Sequence, residues 1–385
     1  MPSGSALRSA AMGRGPDRAP RSALLDMLRF AAAGLIVLYH YRFDGPIKLD
    51  VFSPLFDRGY LATDFFLILS GYVLGRAYGR QIAVGKVSDE QFLLRRVLRV
   101  WPAHVLMLVV FAALIFAAER VGRAPHNAAQ LQWRDWPAQL ILIQAWGFNL
   151  GEGWNVPTWT LSALMVCYAA FPTLWRRTLG DWPAASLLVI GLAVLAGADL
   201  VSEGVYGQGV FDLPSNLGVL RALPLFTFGA LVARASEAGW PLRRWALAQT
   251  VAAFAGFCAL QATGKYDLAS MALLGVMIGA AGEVPARGPA HLAAQAAKVS
   301  FALYITHIFV ATLWFNFIHA VDARFHPPLW AQWGLWGMAF PAALITAVAF
   351  ERWADRPLQA GVAALLRPRR ARYPELAPSG SGRPR

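Results

Sequence analysis

The sequence predicts an all-α polytopic membrane protein, a bundle of about ten transmembrane helices plus one re-entrant or interfacial segment. Three observations predict it. Of the 385 residues, 57% are hydrophobic and only 15% charged, against roughly a quarter charged in soluble domains. The apolar residues fall in blocks, most of them long enough to cross a hydrocarbon core of about 30 Å. The Lys and Arg residues between those blocks collect in alternate loops, as basic residues do on the cytoplasmic face of a membrane.

Taken in order, residues 1–23 are rich in Arg, Pro, Ser and Gly and hold no apolar run. They read as a disordered basic tail rather than a cleaved signal peptide. The apolar blocks that follow are 24–43, 60–78, 99–118, 137–150, 157–175, 183–201, 216–233, 246–263, 268–282, 299–318 and 333–351. Arg8, Arg14, Arg18 and Arg21 against Asp17 put the N-terminal tail inside. The first block then exits. The second returns to a loop with Arg76, Arg80, Lys86, Arg95, Arg96 and Arg99, and the third exits again.

The block 137–150 is short for a span. If it crossed, Arg176 and Arg177 would fall outside and every later basic loop would follow them. Read as re-entrant or interfacial, it lets Arg234, Arg243, Arg244, Arg287, Lys298 and the Arg-rich C-terminus all end inside. Tryptophans agree, with Trp101, Trp175, Trp240 and Trp353 near inner boundaries and Trp159, Trp330 and Trp333 near outer ones. One transmembrane domain over 24–358, a largely disordered cytoplasmic tail over 359–385, and both termini cytoplasmic complete the layout.

The net charge of +13 is thus the positive-inside bias and not a nucleic-acid surface; no basic run is interleaved with aromatics. Cys167 and Cys258 both sit in apolar blocks and read as packing residues. His319 and His326 lack nearby acidic or Cys ligands at a usual spacing, so no metal is expected. No internal repeat relates the two halves, which counts against a secondary transporter.

Ionisable groups inside spans are costly and mark candidate sites. They are Arg29, His40, Asp64, His104, Asp199, Arg221 and His307. At 1.5 Å per residue His40 lies roughly 24 Å from the inner end of its helix. Asp64 lies near the outer start of the next span, at similar depth. A carboxylate beside an imidazole would fix its tautomer and stabilise the imidazolium of a general base. The plainer alternatives are a packing histidine bonded to a carbonyl, and an aspartate bonding amides at its helix N-terminus. Arg96 and Arg99, three apart, share one helical face at the inner mouth of the third span. Two guanidinium forks there suit a phosphate-rich ligand, while spacing alone favours the positive-inside default. His307 lies near mid-membrane, one turn after Tyr304, either lining the same cavity or bridging neighbouring helices. Arg221 lies near the outer end of its span.

These residues sit in stretches that follow one another in a familiar order. Leu25-Asp26-Met27-Leu28-Arg29 precedes Tyr39-His40; Asp64-Phe65-Phe66-Leu67-Ile68-Leu69-Ser70-Gly71-Tyr72 follows. Then come Arg95-Arg96-Val97-Leu98-Arg99-Val100-Trp101-Pro102, Pro157-Thr158-Trp159-Thr160-Leu161-Ser162, and Ser300-Phe301-Ala302-Leu303-Tyr304-Ile305-Thr306-His307. In that order the chain resembles the acyltransferase-3 family, membrane O-acyltransferases that modify bacterial surface glycans and related acceptors. Two departures stand out: Ala163-Leu164 where many members carry Glu, and Asp355-Arg356-Pro357 in place of Glu-x-Pro.

The resemblance implies a ten-helix fold in a bacterial cytoplasmic (inner) membrane. It implies transfer of an acyl group, most often acetyl, from cytoplasmic acyl-coenzyme A to a hydroxyl of a saccharide or other extracytoplasmic acceptor. His40 would act as general base or acyl relay, with Asp64 orienting it. Arg96 and Arg99 would hold the coenzyme A phosphates. Ser70, Trp159, Ser162, Arg221, Tyr304 and His307 would line the substrate cavity. The alternative is a transporter or flippase of a glycan or lipid intermediate, which would move its substrate without covalent chemistry.

Overall fold

The computed structural model describes residues 22–122, 131–148, 153–285 and 290–366. Its helices are α1 (Ala23–Tyr41), α2 (Pro54–Asp57), α3 (Leu61–Ala83), α4 (Asp89–Arg120), α5 (Trp136–Leu140), α6 (Trp159–Arg177), α7 (Ala184–Tyr206), α8 (Gly218–Gly239), α9 (Ala246–Ala262), α10 (Asp267–Glu283), α11 (Ala290–Phe325), α12 (Leu329–Gly337), α13 (Ala339–Phe350) and α14 (Arg356–Leu365). No strand occurs among the described residues. Apolar chain in lipid must satisfy its backbone within each segment, and the helix does so.

Local sequence sets the helix ends. Ser22 caps α1 by accepting from the Leu25 amide at 3.3 Å, and Ser88 caps α4 by accepting from Gln91 at 3.2 Å. Asp89 and Glu90 in the first turn of α4 complement its dipole. Gly207, left-handed at φ 71°, ends α7.

Among the described residues, seven stretches are long and apolar enough to cross a membrane: Ala23–Asp44, Asp89–Arg120, Ala184–Tyr206, Ser215–Gly239, Arg243–Ala262, His291–Phe325 and Leu329–Leu365. The expected count of about ten is not reached on that measure. α3 carries Asp64, Arg76 and Arg80, α6 ends in Arg176–Arg177, and α10 has only 17 residues. All three pack against α8, and protein rather than lipid covers much of their surface.

The described part of the 137–150 block, residues 137–148, does not cross as a helix; 149 and 150 lie outside the described residues. α5 stops after 5 residues, and Leu142 takes a left-handed φ of 58° that turns the chain. Gln139 and Gln144 are buried in the folded-back loop. α14 runs on to Leu365, past residue 359, where the tail was expected to begin. Most of that tail, like residues 1–21, lies outside the described residues.

Successive long helices alternate in direction, which gives the bundle two ends. At the end where α1 finishes, Arg58 donates to Gln261 at 2.6 Å and pairs with Asp267. At the opposite end Ser22 Oγ donates to the Ala281 carbonyl at 2.6 Å, and Arg243 pairs with Glu283 at 2.8 Å. The tightest crossing joins α3 to α8. A Cβ on Gly71 would overlap the Phe226 carbonyl, and one on Gly229 would overlap the Ile68 carbonyl. Glycine there lets two backbones touch, as in small-residue packing of membrane helices.

Candidate active site

A cavity of about 1020 Å³ opens at the α1-terminal end. Its lining comes from the end of α1 (Tyr39, His40), the 42–60 connection (Arg42, Arg58, Tyr60), the start of α6 (Trp159), the turn before α8 (Phe211, Asp212), Arg221 on α8, and α11 (Thr312, Asn316, His319). Charged side chains and aromatic rings share its wall. That is a surface for a polar ligand with an apolar face.

His40 reaches this cavity half-buried. Its ring meets Tyr39 edge-on at 5.2 Å between centroids and His307 at 5.1 Å. Tyr41, the next residue, donates its hydroxyl to the His307 carbonyl at 2.9 Å. That bond fixes the end of α1 against the middle of α11.

The expected Asp64–His40 hydrogen bond is not made. Both oxygens of Asp64 accept from Arg221 instead, from Nε at 2.8 Å and from the terminal nitrogen at 2.7 Å. The reason is electrostatic. Asp64 is fully buried and Arg221 nearly so, and a buried carboxylate takes the strongest partner in reach, a bidentate guanidinium. The pair joins α3 to α8 and holds Arg221 on the cavity wall. Its guanidinium lies 5.2 Å from the Tyr60 ring and 5.8 Å from Trp159, within cation–π range.

Of the residues expected to line the cavity, Trp159 and Arg221 do so; Ser70, Ser162, Tyr304 and His307 lie outside its lining. Their hydrogen bonds say why. Ser70 bonds back to the Phe66 carbonyl at 2.7 Å within its own helix. Ser162 donates to Leu142 O at 2.8 Å and accepts from the Ala145 amide at 3.1 Å, which pins the folded-back loop to α6. The Tyr304 hydroxyl is engaged by Thr160 at 2.6 Å and by the Pro157 carbonyl. His307 is fully buried behind His40.

Sequence reasoning missed Arg42, Arg58 and Tyr60. Arg42 is buried, donates to Tyr39 O at 2.5 Å and pairs with Asp57 at 3.0 Å. Arg58 is fully committed to Gln261, Gly264 and Asp267, and so ties the α9–α10 turn to the cavity rim. The available signal was position. These residues sit in the short connection between the two spans that carry His40 and Asp64.

Arg96 and Arg99 lie in the first third of α4, which starts at the opposite end. Arg96 donates to the Tyr78 hydroxyl at 2.9 Å, while its buried Nε has no hydrogen-bond partner among the described residues. Arg99 donates to both oxygens of Asp355 at 3.1 and 3.2 Å and lies over the Phe301 ring at 4.9 Å. Its side chain stays 37% exposed. Arg29, Arg96 and Arg99 all come close enough to act electrostatically on Tyr168. Two helices, α1 and α4, thus bring a guanidinium cluster toward one buried phenol on α6. Asp355 sits in the π-helical turn Glu351–Asp355, and Gln359 on α14 donates to the Arg99 carbonyl at 3.0 Å.

The family model described as an acyltransferase domain matches residues 23–352. The acyltransferase MdmB of Streptomyces mycarofaciens is 29% identical over 131 residues, 34% of this chain and 31% of that protein. Protein 2 in the picA locus of Rhizobium radiobacter is 38% identical over 102 residues, 26% of this chain and 50% of that protein. The chain therefore spans half or less of the length of these two relatives. No solved structure matches it. The family match runs through α1 to the π-helical turn, and it carries both the His40 end and the guanidinium cluster: the chain belongs to the acyltransferase-3 family.

Proposed function

We infer that this membrane acyltransferase moves an acetyl group from cytoplasmic acetyl-coenzyme A to a hydroxyl of a saccharide or similar acceptor on the far side of a bacterial cytoplasmic membrane. One observation carries the reading. The His40 imidazole, on a helix end packed against buried His307, borders a polar, aromatic-walled cavity at one end of the bundle, and the Arg96 and Arg99 guanidiniums stand toward the other. A donor rich in phosphate and an acceptor rich in hydroxyls need surfaces of those two kinds.

In this reading Arg96 and Arg99 grip the nucleotide phosphates and the thioester reaches inward to His40. His40 takes the proton of the acceptor hydroxyl as its oxygen attacks the thioester carbonyl. Collapse of the tetrahedral intermediate breaks the C–S bond, and the coenzyme A thiolate leaves with the proton held on His40. Base assistance of this kind contributes roughly 10²–10⁴ in rate. Asp64 serves the site through Arg221, as an anchor rather than as the orienting group of the base.

The test is His40→Ala in the full-length protein. O-acylation should vanish, read as loss of the ester mass on the acceptor, while the variant inserts and purifies as the wild type does. Wild-type activity in that variant removes His40 from the chemistry. Loss of acceptor export with its ester intact points instead to the transporter reading.

A further inference from the structure

With Asp64 bound to Arg221, no carboxylate among the described residues is hydrogen-bonded to His40, yet a general base needs its tautomer fixed. Two rings lie against the His40 ring, Tyr39 and His307, and of these His307 carries a ring nitrogen that can accept. His307 Nδ1 lies 3.1 Å from the Leu303 carbonyl, one turn back on α11. A carbonyl only accepts, so Nδ1 carries the proton. In a neutral imidazole Nε2 is then a bare lone pair. That Nε2 is buried and has no hydrogen-bond partner among the described residues. A buried acceptor without a donor is uncommon and needs a reason. The imidazole of His40 stands 5.1 Å away between centroids, tilted by 46°. It is half-buried and borders the cavity, so its ring has room to turn. His307 has none: it is fully buried, its carbonyl is clamped by Tyr41, and the Tyr304 ring is 6.2 Å away.

We propose that His307 is the positioning residue of the base: its fixed, bare Nε2 accepts the N–H of His40 and leaves the other His40 nitrogen unprotonated toward the cavity. The proposal rests on His40 acting as the base. The rigid imidazole then does for His40 what a carboxylate does in other base dyads. When His40 takes the acceptor's proton, its imidazolium keeps a hydrogen bond to a neutral partner, and no second charge is buried.

Two variants and one measurement test it, in full-length protein in lipid nanodiscs. Acetyl-coenzyme A is the donor, and envelope saccharides from a deletion strain are the acceptor. His307→Phe keeps a ring and removes the acceptor. It should lower kcat about 100-fold and leave both KM values nearly unchanged. His307→Gln returns an acceptor oxygen and should recover roughly a tenth of the wild-type kcat. Full kcat in His307→Phe overturns the proposal, and so does equal loss in both variants with wild-type thermal stability. Should either variant fail to fold, ¹⁵N spectra of histidine-labelled wild-type protein decide. The Nδ1–H tautomer at His307 is expected, and the Nε2–H tautomer overturns it. If His40→Ala stays active, the underlying reading fails; if His40→Ala is dead and His307→Phe fully active, only the positioning role fails.

Discussion

Arg96 offers a sharp test of the donor end, because its Nε is buried without a partner among the described residues while its terminal nitrogen is held by Tyr78. A lysine keeps the charge but loses the fork. Arg96→Lys should therefore raise the KM for acetyl-coenzyme A by about tenfold, nearly as much as Arg96→Ala, since a lost charge-assisted hydrogen bond is worth roughly 1.5–3 kcal/mol. An unchanged donor KM in steady-state assays would remove Arg96 from the phosphate site. The Asp64–Arg221 pair separates structural from chemical roles. Leaving Arg221 buried and unpaired costs about 3–5 kcal/mol, so Asp64→Ala should lower the melting temperature sharply. Asp64→Leu combined with Arg221→Leu should restore much of it, because two apolar side chains leave no uncompensated charge. Melting curves in detergent read both. Sequence reasoning singled out Asp64 and Arg221 as costly intramembrane charges. It paired Asp64 with His40 because those two helices are neighbours in sequence. The actual partner lies 157 positions away, and no periodicity or depth argument encodes which distant helix packs against α3.

At the scale of elements the α3–α8 crossing governs the geometry of the site. Gly71, Gly75 and Gly79 recur every fourth residue along one face of α3. They meet Phe226 O, Ala233 and Trp175, and Trp175 respectively. Gly71→Ala places a methyl against a backbone carbonyl that cannot rotate away. Overpacking of this kind costs about 1–3 kcal/mol, and here it would also push Asp64 and Arg221 apart. A melting temperature equal to wild type would show that the two backbones are farther apart than described. That stripe was legible as small residues at helical spacing, a signal for close helix packing that charge counting passes over. The folded-back block 137–150 was legible for the opposite reason. Length and the distribution of Arg176 and Arg177 exclude a crossing without any knowledge of contacts. Its buried polar groups, Gln139 accepting from the Trp154 amide at 2.9 Å and His104 bonded to Gln139 O at 2.8 Å, appear only once α4 and the loop are in place. Asp355 shows the same limit. The sequence marks it as a shortened stand-in for glutamate, whereas its service to Arg99 depends on a π-helical turn that adds a residue to the helix and re-aims the side chain.

For the whole molecule the decisive question is which surface each end of the bundle meets. Hydropathy and charge define the spans, and alternation of helices puts His40 and the Arg96–Arg99 pair toward opposite ends, but orientation in a membrane is a property of the assembled system. The reading needs the cavity end outside and the guanidinium end inside. Val51, 75% exposed in the connection after α1, and Val84, 59% exposed in the turn after α3, mark the two ends with side chains that bear no load. In a background lacking Cys167 and Cys258, Val51→Cys should react with a membrane-impermeant maleimide added to intact cells. Val84→Cys should react only after the membrane is opened. Neither residue lines the cavity or belongs to the guanidinium cluster, so both variants should keep wild-type activity and report on the active form. Labelling of both from the same side would place donor and acceptor surfaces in one compartment. A transmembrane donor route would then have no purpose, and the separation of imidazole from guanidinium cluster would need another cause.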